Sequence, residues 1–378
     1  MILFFSDLHL GLRLYSVQDG EGFFTAEKQA VLALEKIYER AKKSDVTAII
    51  FGGDWSHTNY MTSVANRITV YIMNKFESLG KPFYIIPGNH DSGTYTNTLS
   101  FLHENIEKNI YKNIFLVDKE VKKLSWKDYD LYLIPFIYGN SFKDREAKVK
   151  DLIQETLKKV TKKSILVTHV QETSAILGSE QNFISKAVEH LDLGDFKADH
   201  KITFLLGHIH QYQNYTKGCC EIIYPGNTFY HDKSDCNSPK GYVLFKEDGA
   251  HEFEEIPELR KFINIKVPGD VDILTVLESE DVVDNSLYFI NKEINSLVDR
   301  PDEKEIRNFL SSKGSALGKI YINSNIHKQG ISKESSEKLV KVSGKSFRED
   351  LVSRLISRVG RQDVGRVISH YDSLGGAN

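Results

Sequence analysis

The sequence predicts an α/β fold in which helices pack on the faces of a sheet, and three observations predict it. Short apolar runs recur at Ile2-Leu3-Phe4-Phe5-Ser6, Val46 to Phe51 and Pro82 to Pro87, each the length of a buried strand. Two segments with apolar residues at helical spacing lie between them, giving the order β-α-β-α-β. Every run then stops at polar or turn-forming residues instead of continuing.

The first strand ends in Asp7-Leu8-His9-Leu10-Gly11. After a loop rich in Gly and aromatics, a helix starts at about Thr25, its N-cap, with Ala30, Leu34, Ile37 and Ala41 on one face and Lys and Glu opposite. It leads to the strand Val46 to Phe51, stopped by Gly52-Gly53-Asp54. A second helix runs from about Thr62 to Leu79, with Val64, Ile68, Ile72 and Phe76 in register. The strand after it hands over Gly88-Asn89-His90-Asp91, polar side chains on a loop held by a rigid sheet.

Further strands are expected at Tyr129 to Ile134, Ser164 to Thr168 and Lys201 to Leu206, the last two ending in His169 and in Gly207-His208-Ile209-His210. Residues 143–163 read as a charged helix, and 241–256 as a hairpin turning at Glu247-Asp248-Gly249. Pro257 marks a domain edge. Beyond it Ile263, Ile265 and Val267 alternate with polar residues, Glu278 to Asp284 is solvated, and Lys319 to Asn323 is a strand. The division is therefore 1–257 as the main domain, 258–325 as a small α+β domain and 326–378 as a helical tail, whose apolar stripes are Phe347, Leu351, Leu355, Val359 and then Val364, Val367, Ile368, Tyr371.

With 378 residues, 40% hydrophobic and 27% charged, the chain has enough apolar content for one large core plus a smaller unit. No apolar run approaches the roughly 18 residues of a membrane span, and the start lacks the basic opening of a signal peptide, so a cytoplasmic protein is expected. Cys219, Cys220 and Cys236 fit neither a disulfide framework nor a CxxC zinc site. A net charge of -3 advertises no nucleic-acid partner globally; a basic contact surface has to be local.

Chemistry is carried by the strand ends: Asp7-x-His9, Gly53-Asp54, Gly88-Asn89-His90-Asp91, His169 and Gly207-His208-x-His210. Each alone reads as readily as a capped turn or a loop histidine. Together, in this order and each after an apolar run, they form a ligand set of Asp, Asn and His without Cys, suited to manganese, iron or zinc. Seven candidates exceed what one open catalytic site uses, so two ions fit better than one. Such a pair, roughly 3.5–4 Å apart, clamps phosphoryl oxygens and lowers the pKa of a bridging water. A bridging ligand has to be a carboxylate, and Asp54 is the choice; His90 is left free to protonate a leaving oxygen or hold the phosphate.

These five segments resemble those of the calcineurin-like metallophosphoesterases, and Asp7-Leu8-His9-Leu10-Gly11 resembles most closely the SbcD-type nuclease subunits of DNA double-strand-break repair, bacterial or phage. The resemblance implies a four-layer α/β/β/α sandwich, helices outside two packed sheets, with a small capping domain that meets DNA. It implies one ion on Asp7, His9, Asp54 and His210, and a second on Asp54, Asn89, His169 and His208, manganese being the ion family members use. It makes His90 the catalytic histidine and His57 a second active-site histidine of nuclease members. It also implies 3'-to-5' exonuclease and endonuclease activity on DNA, a homodimer, and an SbcC-type coiled-coil ATPase bound by the tail, where residues 333–366 hold nine Lys/Arg against five Asp/Glu.

The Met61 to Leu79 helix and Phe101 to Ile110 are the expected dimer surface, and Asn227 stands where many relatives carry Ser. The competing readings are a small-substrate phosphatase or cyclic phosphodiesterase, and a catalytically silent scaffold. The Leu10-Gly11 extension, His57, the added domain and the amphipathic tail speak against the first; the complete ligand set speaks against the second.

Overall fold

The computed structural model describes residues 1–324 apart from 21, 138–140, 179–190, 194–195, 237 and 295–300, so the tail expected over 326–378 lies outside the described residues. In chain order the elements are β1 (Ile2–Phe5), α1 (Thr25–Ala41), β2 (Ala48–Phe51), α2 (Ser63–Glu77), β3 (Phe83–Ile85), α3 (Leu102–Glu107), β4 (Ile114–Leu116), β5 (Lys122–Trp126), β6 (Tyr129–Leu133), α4 (Phe142–Leu157) and β7 (Ser164–His169). There follow β8 (Ile202–Gly207), β9 (Gln213–Lys217), β10 (Cys220–Tyr224), β11 (Gly241–Phe245), β12 (His251–Glu255), β13 (Lys261–Val267), α5 (Ile273–Ser279), β14 (Ser286–Ile294), α6 (Glu303–Ser312) and β15 (Ala316–Ser324). Among the described residues no helix is long and apolar enough to cross a membrane.

Two six-stranded sheets form the main body, ordered β12-β11-β1-β2-β3-β4 and β5-β6-β7-β8-β10-β9. β1 to β4 run parallel, as do β6, β7, β8 and β10, while the outer strands β5, β9, β11 and β12 pair antiparallel. Alternation along each strand builds the layers. Ile2 and Phe4, Ala48 and Ile50, Leu131 and Leu133, and Ile165 and Val167 point into the core between the sheets. Leu3, Phe5, Ile49 and Phe51 point the other way, onto Ala30, Leu34 and Ile37 of α1 and Ile68, Ile72 and Phe76 of α2. Leu166, Phe204 and Ile222 do the same beneath Val149, Ile153 and Leu157 of α4. The result is the four-layer α/β/β/α sandwich, and strands buried on both faces explain why they read as unbroken apolar runs. Each fully buried Phe of these runs is worth about 2–3 kcal/mol.

Local differences from the sequence reading have simple causes. Helix α1 is capped by Phe24, whose backbone N–H donates to Glu27 Oε2 at 2.9 Å, while the Thr25 hydroxyl donates to the Val17 carbonyl at 3.0 Å. The turn of the β11–β12 hairpin falls where expected, with Gly249 at φ +89° and Lys246 N–H donating to Ala250 O at 2.8 Å. Strands β4, β5, β9, β10 and β14 were not foreseen.

A third sheet, ordered β13-β14-β15, buries Ile265, Val267, Tyr288 and Ile290 under Ile273 and Leu277 of α5 and Ile306 and Leu310 of α6. Its other face joins the main core through Phe262, Leu287 and Phe289. Tyr15 meets Phe289 edge-on with ring centroids 4.9 Å apart. Met1–Glu293 and Arg300–Asn323 accordingly form one compact unit.

Candidate metal centre

Parallel strands put their carboxyl ends on one side of a sheet, where ligands collect. β1 delivers Asp7 and His9, β2 delivers Asp54, β3 delivers Asn89 and His90, β7 ends on His169, and β8 delivers His208 and His210. Four of these residues adopt left-handed backbone, with φ of 55° at Asp7, 46° at His9, 60° at Asp54 and 96° at His208. Such strain costs about 1–3 kcal/mol per residue and persists where the surroundings over-determine it. Here Asp7 N–H donates to Gly53 O at 3.0 Å and His9 N–H to Asp54 O at 2.9 Å, stitching the first two strand ends together. Two glycines are required by close approach: a Cβ on Gly53 would fall on the His169 ring, and one on Gly88 on the Asp54 carboxylate.

All seven residues expected as ligands meet in one place, in two groups that share Asp54 Oδ2. In the first, His9 Nε2 lies 3.5 Å from Asp54 Oδ2, 4.0 Å from Asp7 Oδ1 and 3.1 Å from His210 Nε2, with His210 Nε2 3.9 Å from Asp7 Oδ1. In the second, His169 Nε2 lies 3.3 Å from Asp54 Oδ2 and 3.0 Å from Asn89 Oδ1, and His208 Nδ1 is also 3.0 Å from Asn89 Oδ1.

The donor set fits divalent cations. Burial, and then neighbouring imidazoles, hold His9 far below the usual histidine value, His208 at about 3 and, by burial, His210 at about 4, so their nitrogens offer lone pairs. Burial raises Asp7 well above the usual carboxylate value, with the charge of Asp54 adding to it. Burial also pushes Asp54 upward, but His169 and His90 outweigh it and bring this carboxyl below the usual range. His169, opposed by burial, is carried up to about 9 by Asp54. Two buried carboxylates, an amide oxygen and four imidazoles make a mixed oxygen and nitrogen set for borderline or hard ions.

His90 leaves the ring of Asn89 contacts and turns to the first group, its ring 4.7 Å from that of His9. Its Nδ1–H donates to the His57 carbonyl at 2.7 Å, and its backbone N–H donates to Asp54 Oδ1 at 2.9 Å. His57 stacks on it at 5.6 Å and 19°, and is held at about 4 by burial and by His90. Asp91 is a brace: its carboxylate accepts from the backbone N–H groups of Trp55, Ser56 and Gly88 at 3.0, 2.8 and 2.9 Å, locking the β2 and β3 loops together.

Sequence reading missed His231, Asp235 and Lys240, in the loop between β10 and β11. His231 is buried with its ring 5.0 Å from His9 and 5.2 Å from His210. Asp235 accepts from His231 N–H, Asp232 N–H and Asn227 Nδ2 at 2.8, 3.1 and 2.9 Å. Lys240, 1% exposed, donates at 3.1 Å to Asp235 Oδ1 and at 3.1 Å to the carbonyl of His210. Asn227 was the one available signal, and its amide is the part that reaches Asp235.

The family model described as calcineurin-like phosphoesterase matches residues 1–212. A protein named DNA double-strand break repair protein Mre11 from Sulfolobus acidocaldarius is 23% identical over 310 residues, 81% of this chain and 73% of the relative. Its namesake from Sulfurisphaera tokodaii is 27% identical over 320 residues, 78% of each chain. A dimetal phosphatase from Danio rerio superposes with a TM-score of 0.41 at 8% identity, over 64% of this chain and 90% of that one.

Proposed function

The chain belongs to the calcineurin-like phosphoesterase family, and from that premise we propose that it is a metal-dependent DNA nuclease of double-strand-break repair. The observation that carries the reading is the shared Asp54 Oδ2, 3.5 Å from His9 Nε2 and 3.3 Å from His169 Nε2. Asp7, His9, Asp54 and His210 would hold one divalent ion, and Asp54, Asn89, His169 and His208 the other, with manganese our choice of activating ion. When bound, such a pair supplies an activated water and neutralises phosphate charge. Two relatives named for break repair, each aligned over more than three quarters of this chain, favour DNA over a small ester as substrate.

His90 acts on the leaving oxygen. With Nδ1–H donating to the His57 carbonyl, Nε2 is the ring atom we assign to hold and deliver a proton there. His57 positions that ring by stacking on it and by offering the carbonyl. Residues 258–325 would cap the site and meet DNA, while 326–378 would bind an SbcC-type ATPase. The exposed faces of α2 and its neighbours, including Val70, Tyr71 and Ile110, suit a homodimer. Both 3'-to-5' exonuclease and endonuclease cleavage are proposed.

The test compares the purified protein with Mn2+ on a 3'-labelled duplex and on p-nitrophenyl phosphate esters. Cleavage of the duplex supports the reading, and turnover confined to the esters sinks it. Removing residues 332–378 should abolish ATPase pull-down while short single strands are still cut.

A further inference from the structure

We propose that His231 is a third imidazole ligand at the first metal position and makes that position prefer zinc, cobalt or nickel over manganese or magnesium, an inference that rests on the dinuclear reading above. His231 lies outside the five strand-end segments, yet one ring nitrogen each of His9, His210 and His231 sit within 4.8 Å of one another. All three residues are buried. The His231 ring stands nearly perpendicular to both neighbours, at 85° to His9 and 88° to His210.

Its Nε2 is buried and has no hydrogen-bond partner among the described residues. An unmade hydrogen bond on a buried polar group costs about 1–3 kcal/mol, so a core ring here would serve better as Phe or Leu. The loop nevertheless holds this imidazole firmly. Phe229 packs against the ring with centroids 4.4 Å apart, and the His231 backbone N–H is fixed by Asp235. Lys240 ties Asp235 to the carbonyl of His210, so one buried ammonium sets the loop of His231 against the strand end of His210.

The two positions are thereby unequal. The second group offers two imidazoles, the Asn89 amide and the Asp54 carboxylate. The first offers two carboxylates and two imidazoles, and His231 raises its imidazoles to three. Imidazole suits zinc, nickel and copper, whereas carboxylate and carbonyl oxygens suit magnesium and manganese. An added imidazole therefore strengthens binding of the first class far more than the second, and the first position should fill with zinc ahead of the second.

The experiment uses the full chain, stripped of metal, and titrates Zn2+ and Mn2+ separately into wild type, His231→Ala and His231→Phe, with thermal unfolding as the check on folding. His231→Phe keeps a ring in the site and removes only its nitrogens. Zinc affinity at the tighter position is expected to fall about 10- to 100-fold while Mn2+ affinity stays nearly unchanged. X-ray absorption of wild type loaded with one equivalent of zinc, which needs no variant, should count three imidazoles, against two in His231→Phe.

Equal zinc affinity in wild type and both variants overturns the inference. So does a parallel fall for zinc and manganese, which would make His231 a prop for His9 and His210, and so does a count of two imidazoles in wild type. A wild type that binds two manganese ions with any of these results sinks this inference alone; one that binds no ion sinks the dinuclear reading beneath it as well.

Discussion

His9 Nε2 and His210 Nε2 face each other at 3.1 Å, from residues 201 positions apart in the chain. At that separation at most one of the two atoms bears a hydrogen, and burial keeps both rings neutral. Lone pairs and the carboxyl groups of Asp7 and Asp54 are crowded into one small volume.

Crowding of that kind is relieved by a cation, so metal should stabilise the fold. Mn2+ at 100 times its dissociation constant is expected to add about 2.7 kcal/mol per site, read as a higher thermal midpoint than in EDTA. In Asp54→Ala, which removes the donor common to both groups, most of that gain should vanish. An identical midpoint with and without metal in wild type contradicts the assignment of this centre.

His90 is proposed for proton delivery and not for coordination. His90→Ala should lower kcat by about 10²–10⁴-fold and leave bound metal, counted by elemental analysis, unchanged. Loss of metal in that variant would move His90 into the ligand set.

Gly88→Ala tests the close approach beneath Asp54. The added methyl falls on the Asp54 carboxylate and its backbone N–H, neither of which is a flexible side-chain end. Overpacking of this sort costs about 1–3 kcal/mol, and Asp54 has to shift, so metal content and activity should fall together. Normal metal content in a folded variant would show that the loop after β3 yields more than its hydrogen bonds suggest.

Glu172, fully buried, receives the Lys217 ammonium on Oε1, and the Ser174 N–H and Tyr215 hydroxyl on Oε2 at 2.7 and 2.8 Å. Burial pushes this carboxyl upward, but Lys217 and the other donors outweigh it and hold it below the usual glutamate value of 4.5. A depressed folded value means stability that is present above pH 4.5 and lost as pH falls through the folded value. Glu172→Gln should be about 2–3 kcal/mol less stable at pH 7, with a flatter loss of stability on acidification. Urea unfolding at pH 7 and pH 3.5 measures both; equal acid sensitivity in wild type and variant would show that other carboxyls dominate.

Much of the sandwich was readable because β1, β2, β7 and β8 are buried on both faces, which turns each into an unbroken apolar run. The edge strands were not. In β9, Gln213, Asn214, Thr216 and Lys217 face solvent in whole or part, and β5 opens on Lys122 and Lys123, so neither shows an apolar run. The site followed the same logic. Seven donors were legible since each directly follows such a run, whereas His231 follows none and owes its position to Asp235 and Lys240. Lys240 itself reads as an ordinary surface lysine ahead of a strand, and only its tertiary partners reveal a buried ammonium.

The pairing of β1 with β11 sets an order on synthesis. Asp7 and His9 hang from a strand whose outer neighbour is Gly241–Phe245, nearly the whole length of the main body later. While a ribosome is still making the second sheet, β1 has β2 alone beside it and an open edge on the other side. The first residues of the centre to be translated are thus among the last to be secured, and a nascent chain released before that strand emerges would expose an apolar edge and no finished site.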